Sequence, residues 1–552
     1  MVYYKIMTAL AESRESTEAI DANHTIFQTY LAGRMHPDLV HAAHGVAMDY
    51  LEADNDTLRA EAAIREHGGV DLHRHLEGML TAIDLYEISE EIGKKLGFSV
   101  QFRDETWEKI FARMNGESLD GKKLAPFESF LGMLATFAVR GIYENAMLQA
   151  KTRIEDKSFN KSLEFVSETV MKTVFERVLK KAHAEGIRVL DLMGSPLAMT
   201  AEGNLFDYAL NEFPGIDELD QIAGAWEMRT KEALGPAKIS WSTLLTTRRY
   251  VELFDEVVGE DGDKYRRWNE DMKPGDDNRM RVGLRLCFRR EQDAEQLLLR
   301  NVYPYPGLSL LSSQSENYLL TIADLNDRGL ITGINIGGDE SKWEWRLRNF
   351  SVFLKLFRDF GGSITVHVGE TTEESKEIGW DNMEYALMVL NVDRLGHAKQ
   401  LFDGSPRMNR LIKEMIENPD QFNALIEVNI FSNFMLGLVK DLHEHPILTH
   451  SLELTSWGIH LYQFYNFIHD RLLFTTDDPN ISEPGKNYTM FRALRDMVKK
   501  GEVTQRYALS YRAGNSLCPL AKELALIAKY SDLLDFFGGI EGYIKHQIAR
   551  WS

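Results

Sequence analysis

Eight short apolar runs recur along this chain, separated by longer stretches of mixed polarity. They fall at Gly69–Leu76, Ile187–Met193, Arg281–Phe288, Ile331–Ile336, Ser363–Val368, Asp393–His397, Ala424–Ile430 and Arg471–Thr475. Short runs of this kind suit parallel strands buried on both faces. Between them lie helical patterns such as Lys161–Glu185, Ser351–Phe360, Met408–Glu417 and Ile459–His469. Eight strands alternating with helices predict an α/β fold, a (β/α)8 TIM barrel.

The alternation is interrupted twice. Residues 1–65 read as a helical N-terminal extension rich in Ala, Leu and Glu, and residues 66–552 read as the barrel. The second interruption is an insertion at about 197–278, after the second strand. It carries a helical Asn204–Phe213, a turn at Pro214-Gly215 and a charged loop over Trp268–Asp277. Insertions at that end of a barrel shape substrate access or subunit contacts. The extension is either a packed appendage or a surface for assembly into a homo-oligomer or larger complex.

Length alone, at 552 residues, predicts three to four domains, although large barrels break that rule. Sixty-three basic against 84 acidic residues give a net charge of −21. That balance argues against a nucleic-acid partner, whose binding face is basic, and leaves room for a local basic pocket. Cys287 and Cys518 are the only cysteines, so no disulfide framework is expected, and Cys287 reads as a buried thiol. With no charged-then-apolar leader and no long apolar run, a cytoplasmic protein without a membrane partner is expected.

The candidate chemistry sits where the apolar runs end. In Gly69-Val70-Asp71-Leu72-His73-Arg74-His75-Leu76-Glu77-Gly78, side chains two apart point to one side, so His73 and His75 present two imidazoles together. Three further polar clusters follow: Thr365-Val366-His367-Val368-Gly369-Glu370, Arg394-Leu395-Gly396-His397-Ala398 and Leu473-Phe474-Thr475-Thr476-Asp477-Asp478-Pro479. Three histidines and a carboxylate make a catalytic zinc set with one position left for water. A glutamate three residues after the third histidine supplies acid–base chemistry, and a further histidine orients or deprotonates the water.

In this order the four fragments resemble the adenosine deaminase family, which carries HxH, then H-[A/S/C]-G-E, then R-[I/L]-G-H, then [S/N]-T-D-D-P. Gly337-Gly338-Asp339-Glu340, Ser432-Asn433 with Gly437, His445-Pro446 and Asn515-Ser516 extend the likeness from about residue 69 to about 520. The resemblance implies a barrel whose metal is held by His73, His75, His367 and Asp477. It implies one Zn2+ per chain, with another divalent metal as the alternative. Glu370 would protonate the purine at N1, and His397 would orient or deprotonate the attacking water. Asp478 would face N7, Gly338 would bring a backbone N–H to N3, and Glu77 would face the ribose.

Two positions depart from the family pattern. Glu77 stands where an aspartate is usual, and Val368 where a smaller residue is usual. Arg289 and Arg290 would face a 5′ phosphate or else make ion pairs. Arg74 should point away from the metal toward an acid. His443 and His445 form a second HxH that reads as structural. The function expected is metal-dependent hydrolytic deamination of an adenine nucleoside or nucleotide to the inosine form, releasing ammonia. The alternatives are an N6-substituted or other purine-like substrate, or an enzyme subunit with a mainly scaffolding role.

Overall fold

The structure is a computed structural model that describes residues 55–80, 82–100, 139–196, 246–271, 279–290, 313–341, 346–440, 442–449, 461–478 and 518–551. Residues 1–54, Asn204–Phe213, Pro214-Gly215, Asn515-Ser516 and the side chains of Glu77 and Arg289 lie outside it.

Nine strands are described: β1 Gly69–His75, β2 Ile187–Gly194, β3 Tyr265–Arg267, β4 Met280–Arg289, β5 Gly333–Gly337, β6 Ile364–Val368, β7 Arg394–His397, β8 Leu425–Val428 and β9 Leu472–Phe474. Eight of them run β1-β2-β4-β5-β6-β7-β8-β9, every neighbouring pair parallel. The ring closes just past β9. Asp477 N–H donates to His73 O at 2.8 Å, and His75 N–H donates to Asp477 O at 3.0 Å. The (β/α)8 barrel read from the apolar runs is therefore the observed fold.

The strand bounds differ from the expected ones by a few residues at most. The seventh run, expected over Ala424–Ile430, is cut to Leu425–Val428 because Ile430–Met435 turns into a helix. Near the charged Trp268–Asp277 loop a ninth strand, β3, was not anticipated. It pairs with the start of β4 through Tyr265–Met280 and Arg267–Val282. Three residues, two of them arginine, are too short and too polar a run to read as a strand.

The helices form for legible reasons. Ser162 caps Leu163–Ala184 by accepting the Phe165 N–H at 3.1 Å. Gly186, at φ +87°, then turns the chain into β2, a conformation that favours glycine. Ser405 caps Pro406–Glu417 in the same way, with proline in the first turn. The helices bury Leu190, Leu192, Leu284 and Leu286 from the outer face of the strands in one main core. Helix Asn55–His67 packs against the helices Pro519–Tyr530 and Gly539–Trp551, and buried Glu61 accepts the Cys518 N–H at 2.7 Å. Among the described residues no helix is long and apolar enough to cross a membrane.

The barrel interior is layered. Val70, Leu72, Val189 and Leu473 form a small apolar cluster against Trp268, Ile548 and Trp551. Next comes a buried ion chain. Asp191 accepts from Arg285 Nε at 2.9 Å and from Arg394. Arg394 Nη1 donates to Glu427 Oε1 at 2.9 Å, and Glu427 Oε2 lies 2.8 Å from His73 Nδ1. Two acids matched by two arginines leave the layer balanced, as burial at this depth requires.

A bulge in β1 aims the histidines. Asp71 pairs with Leu190 but Arg74 with Leu192, so β1 spends one residue more than β2 over that step. Strict alternation would put Val70 and Leu72 on the face opposite His73 and His75. With the extra residue, Asp71 and Arg74 share a face instead. Arg74 lies 3.0 Å from Asp71 and 2.7 Å from Glu185, pointing away from the histidines as expected.

Candidate metal and acid–base site

His73, His75, His367, His397 and Asp477 come from β1, β6, β7 and the turn after β9, all at the C-terminal mouth of the barrel. His73, His367 and His397 form one group whose nitrogens approach within 4.8 Å of one another. His73, His75 and Asp477 form a second that shares His73. The His73–His367 and His367–His397 ring centroids are each 4.6 Å apart. All of these are buried except His75, which is partly exposed.

A single carboxylate oxygen gathers the first strand's pair. His73 Nε2 lies 3.3 Å and His75 Nε2 3.2 Å from Asp477 Oδ1. Since His73 Nδ1 faces Glu427, its proton sits there and Nε2 offers a lone pair. Within the protein, His73 Nε2 and Asp477 Oδ1 are buried without a hydrogen-bond partner. Lone pairs aimed at a shared point need a cation between them, so this donor set fits a divalent metal, and nitrogen with carboxylate suits zinc. Burial would raise the Asp477 carboxyl, but the imidazoles of His397, His73 and His75 close around it hold it well below the usual range. Burial, with His73 and His397 beside it, keeps His367 neutral.

Backbone strain is concentrated here. Of five described non-glycine residues with positive φ, three are His397 (+62°), Ala398 (+44°) and Asp477 (+56°). Each costs on the order of 1–3 kcal/mol and persists because neighbours over-determine it.

Gly396 keeps two rings together. A Cβ there would come within 2.7 Å of His73 Cε1 and 3.1 Å of His367 Cδ2. Gly396→Ala is therefore expected to cost about 1–3 kcal/mol, the usual scale of overpacking, and to lower bound metal severalfold. Chemical denaturation with elemental analysis checks both; a variant matching the parent in metal would disprove the crowding.

Glu370 sits beside this group, with Oε1 3.2 Å from His397 Nδ1 and Oε2 3.9 Å from His367 Nδ1. Burial, then the charges of Asp477 and Glu340, push its carboxyl well above the ordinary carboxylate range. Its backbone N–H donates to Glu340 Oε1 at 2.5 Å, and Asn382 Nδ2 donates to Glu340 Oε2 at 2.9 Å. Arg290 is fully buried, 3.7 Å from Glu340, and donates to the His367 carbonyl. Of the two readings of Arg290, ion pairing is the one its surroundings favour.

The remaining candidates are placed as follows. Asp478 is buried against Gly78, whose Cβ would meet Asp478 Oδ1 at 1.8 Å. Gly338 follows β5 at φ +87°, half-buried. Glu77 has its backbone in the short turn Glu77–Met79. His443 is exposed, whereas His445 is buried 3.0 Å from Asn433 Oδ1 and lowered to about 3 by burial, Lys399 and His397. Three neighbours carry no motif in the sequence: Glu427 at His73, Asn335 Nδ2 at 3.0 Å from His367 Nε2, and Asn429 at His397, where Asn433 of the Ser432-Asn433 pair also lies. Glu427 alone carried a signal, a charge inside an apolar strand run.

Fold and site define a (β/α)8 barrel with a histidine–carboxylate centre at its C-terminal mouth. Residues 310–453 match the family model described as adenosine deaminase, and the resemblance to that family holds. That span includes Glu340, His367, Glu370, His397 and His445, while His73, His75 and Asp477 lie outside it. An adenine deaminase of Mesorhizobium japonicum is 26% identical over 118 residues, 21% of this chain and 32% of that protein. The match thus spans about a third of that relative's length. An adenine deaminase structure from Arthrobacter aurescens aligns over 88% of this chain and 98% of its own, with 15% identity and a TM-score of 0.41. An Arabidopsis N6-mAMP deaminase structure aligns over 81% and 97%, with 14% identity and a TM-score of 0.42.

Proposed function

We propose that this protein is a metal-dependent aminohydrolase that replaces the exocyclic amine of an adenine nucleoside or nucleotide with oxygen, releasing ammonia. The observation that carries this reading is the meeting of His73, His75, His367 and Asp477 with a buried Glu370 and His397 in one mouth. The family match over residues 310–453 supports it.

His73, His75, His367 and Asp477 would hold the cation. A divalent metal bound there supplies Lewis-acid activation of water at neutral pH. Attack at C6 places negative charge on N1 of the ring unless a proton arrives there. Glu370, kept protonated by burial, delivers that proton. The water contributes the new C6 oxygen and gives up both its protons: one replaces on Glu370 the proton passed to N1, the other goes to the amine, which departs as ammonia. His397 orients the attacking oxygen. As the family resemblance implies, Asp478 would face N7, the Gly338 N–H would face N3, and Glu77, whose side chain lies outside the described residues, would face the ribose.

The test is a panel of adenine, adenosine, deoxyadenosine, N6-methyl-AMP and the adenosine mono-, di- and triphosphates, followed by chromatography. At least one should convert to its hypoxanthine or inosine form with stoichiometric ammonia, or methylamine from N6-methyl-AMP. A metal-loaded protein that converts none of them overturns the reading.

A further inference from the structure

The His445-Pro446 pair has no part in the chemistry above, yet it reaches His397 through one intermediate side chain. His445 Nδ1 accepts the Ile447 N–H at 3.4 Å. Its proton therefore sits on Nε2, which donates to Asn433 Oδ1 at 3.0 Å. That contact fixes the Asn433 amide, whose Nδ2 lies 3.2 Å from His397 Nδ1. Asn429 is fixed in a matching way: its Oδ1 accepts from Thr475 Oγ1, and its Nδ2 lies 3.4 Å from the same His397 nitrogen. All five side chains, with Thr475, are buried, with no water-facing alternative. A nitrogen faced by two amide N–H donors can only accept. A neutral His397 then carries its proton on Nε2, which faces Asp477 Oδ2 at 3.9 Å.

We propose that His445, acting through Asn433, is a positioning residue that holds His397 as its Nε2–H tautomer, making His397 a hydrogen-bond donor to the attacking oxygen rather than a base. The inference deepens the proposed function and rests on it for the role of His397, though not for the tautomer itself. It separates the two roles open to His397 from the sequence, orienting water or deprotonating it.

Two measurements test it on the metal-loaded, full-length protein. In histidine-15N-labelled protein, the long-range proton–nitrogen pattern of His397, assigned by its absence in His397→Gln, should be that of an Nε2–H imidazole. Asn433→Asp puts an acceptor against Nδ1 and should switch the pattern to Nδ1–H. With the panel substrate that turns over best, His445→Leu should lower kcat about 10–100-fold, the range typical of outer-shell partners. KM and metal content should stay within about twofold in His445→Leu. His445→Gln, which can still donate to Asn433, should lose much less.

An Nδ1–H pattern in the parent, its failure to switch in Asn433→Asp, or equal kcat for the Leu variant and the parent overturns the proposal. Equal losses in the Leu and Gln variants overturn it too. If no panel substrate reacts, the proposed function fails alone, and the nitrogen pattern still decides the tautomer.

Discussion

Glu370→Gln is expected to lower kcat about 10²–10⁴-fold, the range for losing one positioned acid–base group, with little change in KM or metal content. Glutamine keeps the length and planar shape, so the backbone N–H to Glu340 and the place beside His397 survive. It has no acidic proton, so N1 of a purine stays unprotonated while C6 is attacked. Steady-state kinetics with the panel substrate and elemental analysis read the two sides separately. Turnover near the parent's would remove Glu370 from the chemistry. A kcat loss matched by metal loss would instead make it a support for His367, 3.9 Å away.

Two kinds of information differ in how far the sequence carries them. A parallel barrel strand is buried on both faces, so all eight leave an apolar mark, and polar residues at their C-terminal ends stand out against it. Hence His73, His75, His367, Glu370, His397 and Asp477 stand out at strand ends in the sequence, and their order, which resembles the family's, joins them into one set. The bulge in β1 was not readable, because period-two alternation gives no sign of an extra residue until the partner strand is known. The supporting shell was harder still. Glu427 and His73 are 354 positions apart, and nothing in the Ser432-Asn433 pair says that Asn433 lies against His397. Arg290 shows the converse. Its charge at a strand end invited a phosphate, whereas the fold buries it beside Glu340, whose own position near the site only the structure supplies.

Asp477→Asn should weaken metal binding by more than about 100-fold, beyond the 10–100-fold typical of an outer-shell partner. Asp477 Oδ1 is the atom that His73 Nε2 and His75 Nε2 both approach, and Ser432 Oγ holds the other carboxylate oxygen. Asparagine has nearly the same volume and tolerates φ near +56° better than most residues, so the backbone bridge to His73 and His75 should hold. What is lost is the negative charge that balances a dication among neutral imidazoles, together with one ligating oxygen. An amide also presents either a weak carbonyl donor or an N–H₂ that opposes the lone pair of His73. The fold should persist, because the ion chain of Asp191, Arg285, Arg394 and Glu427 below the site does not involve Asp477. Elemental analysis after dialysis against a chelator, with circular dichroism alongside, checks the prediction. Stoichiometric metal in Asp477→Asn would place the cation elsewhere; loss of fold with loss of metal would make the metal a structural element of the barrel.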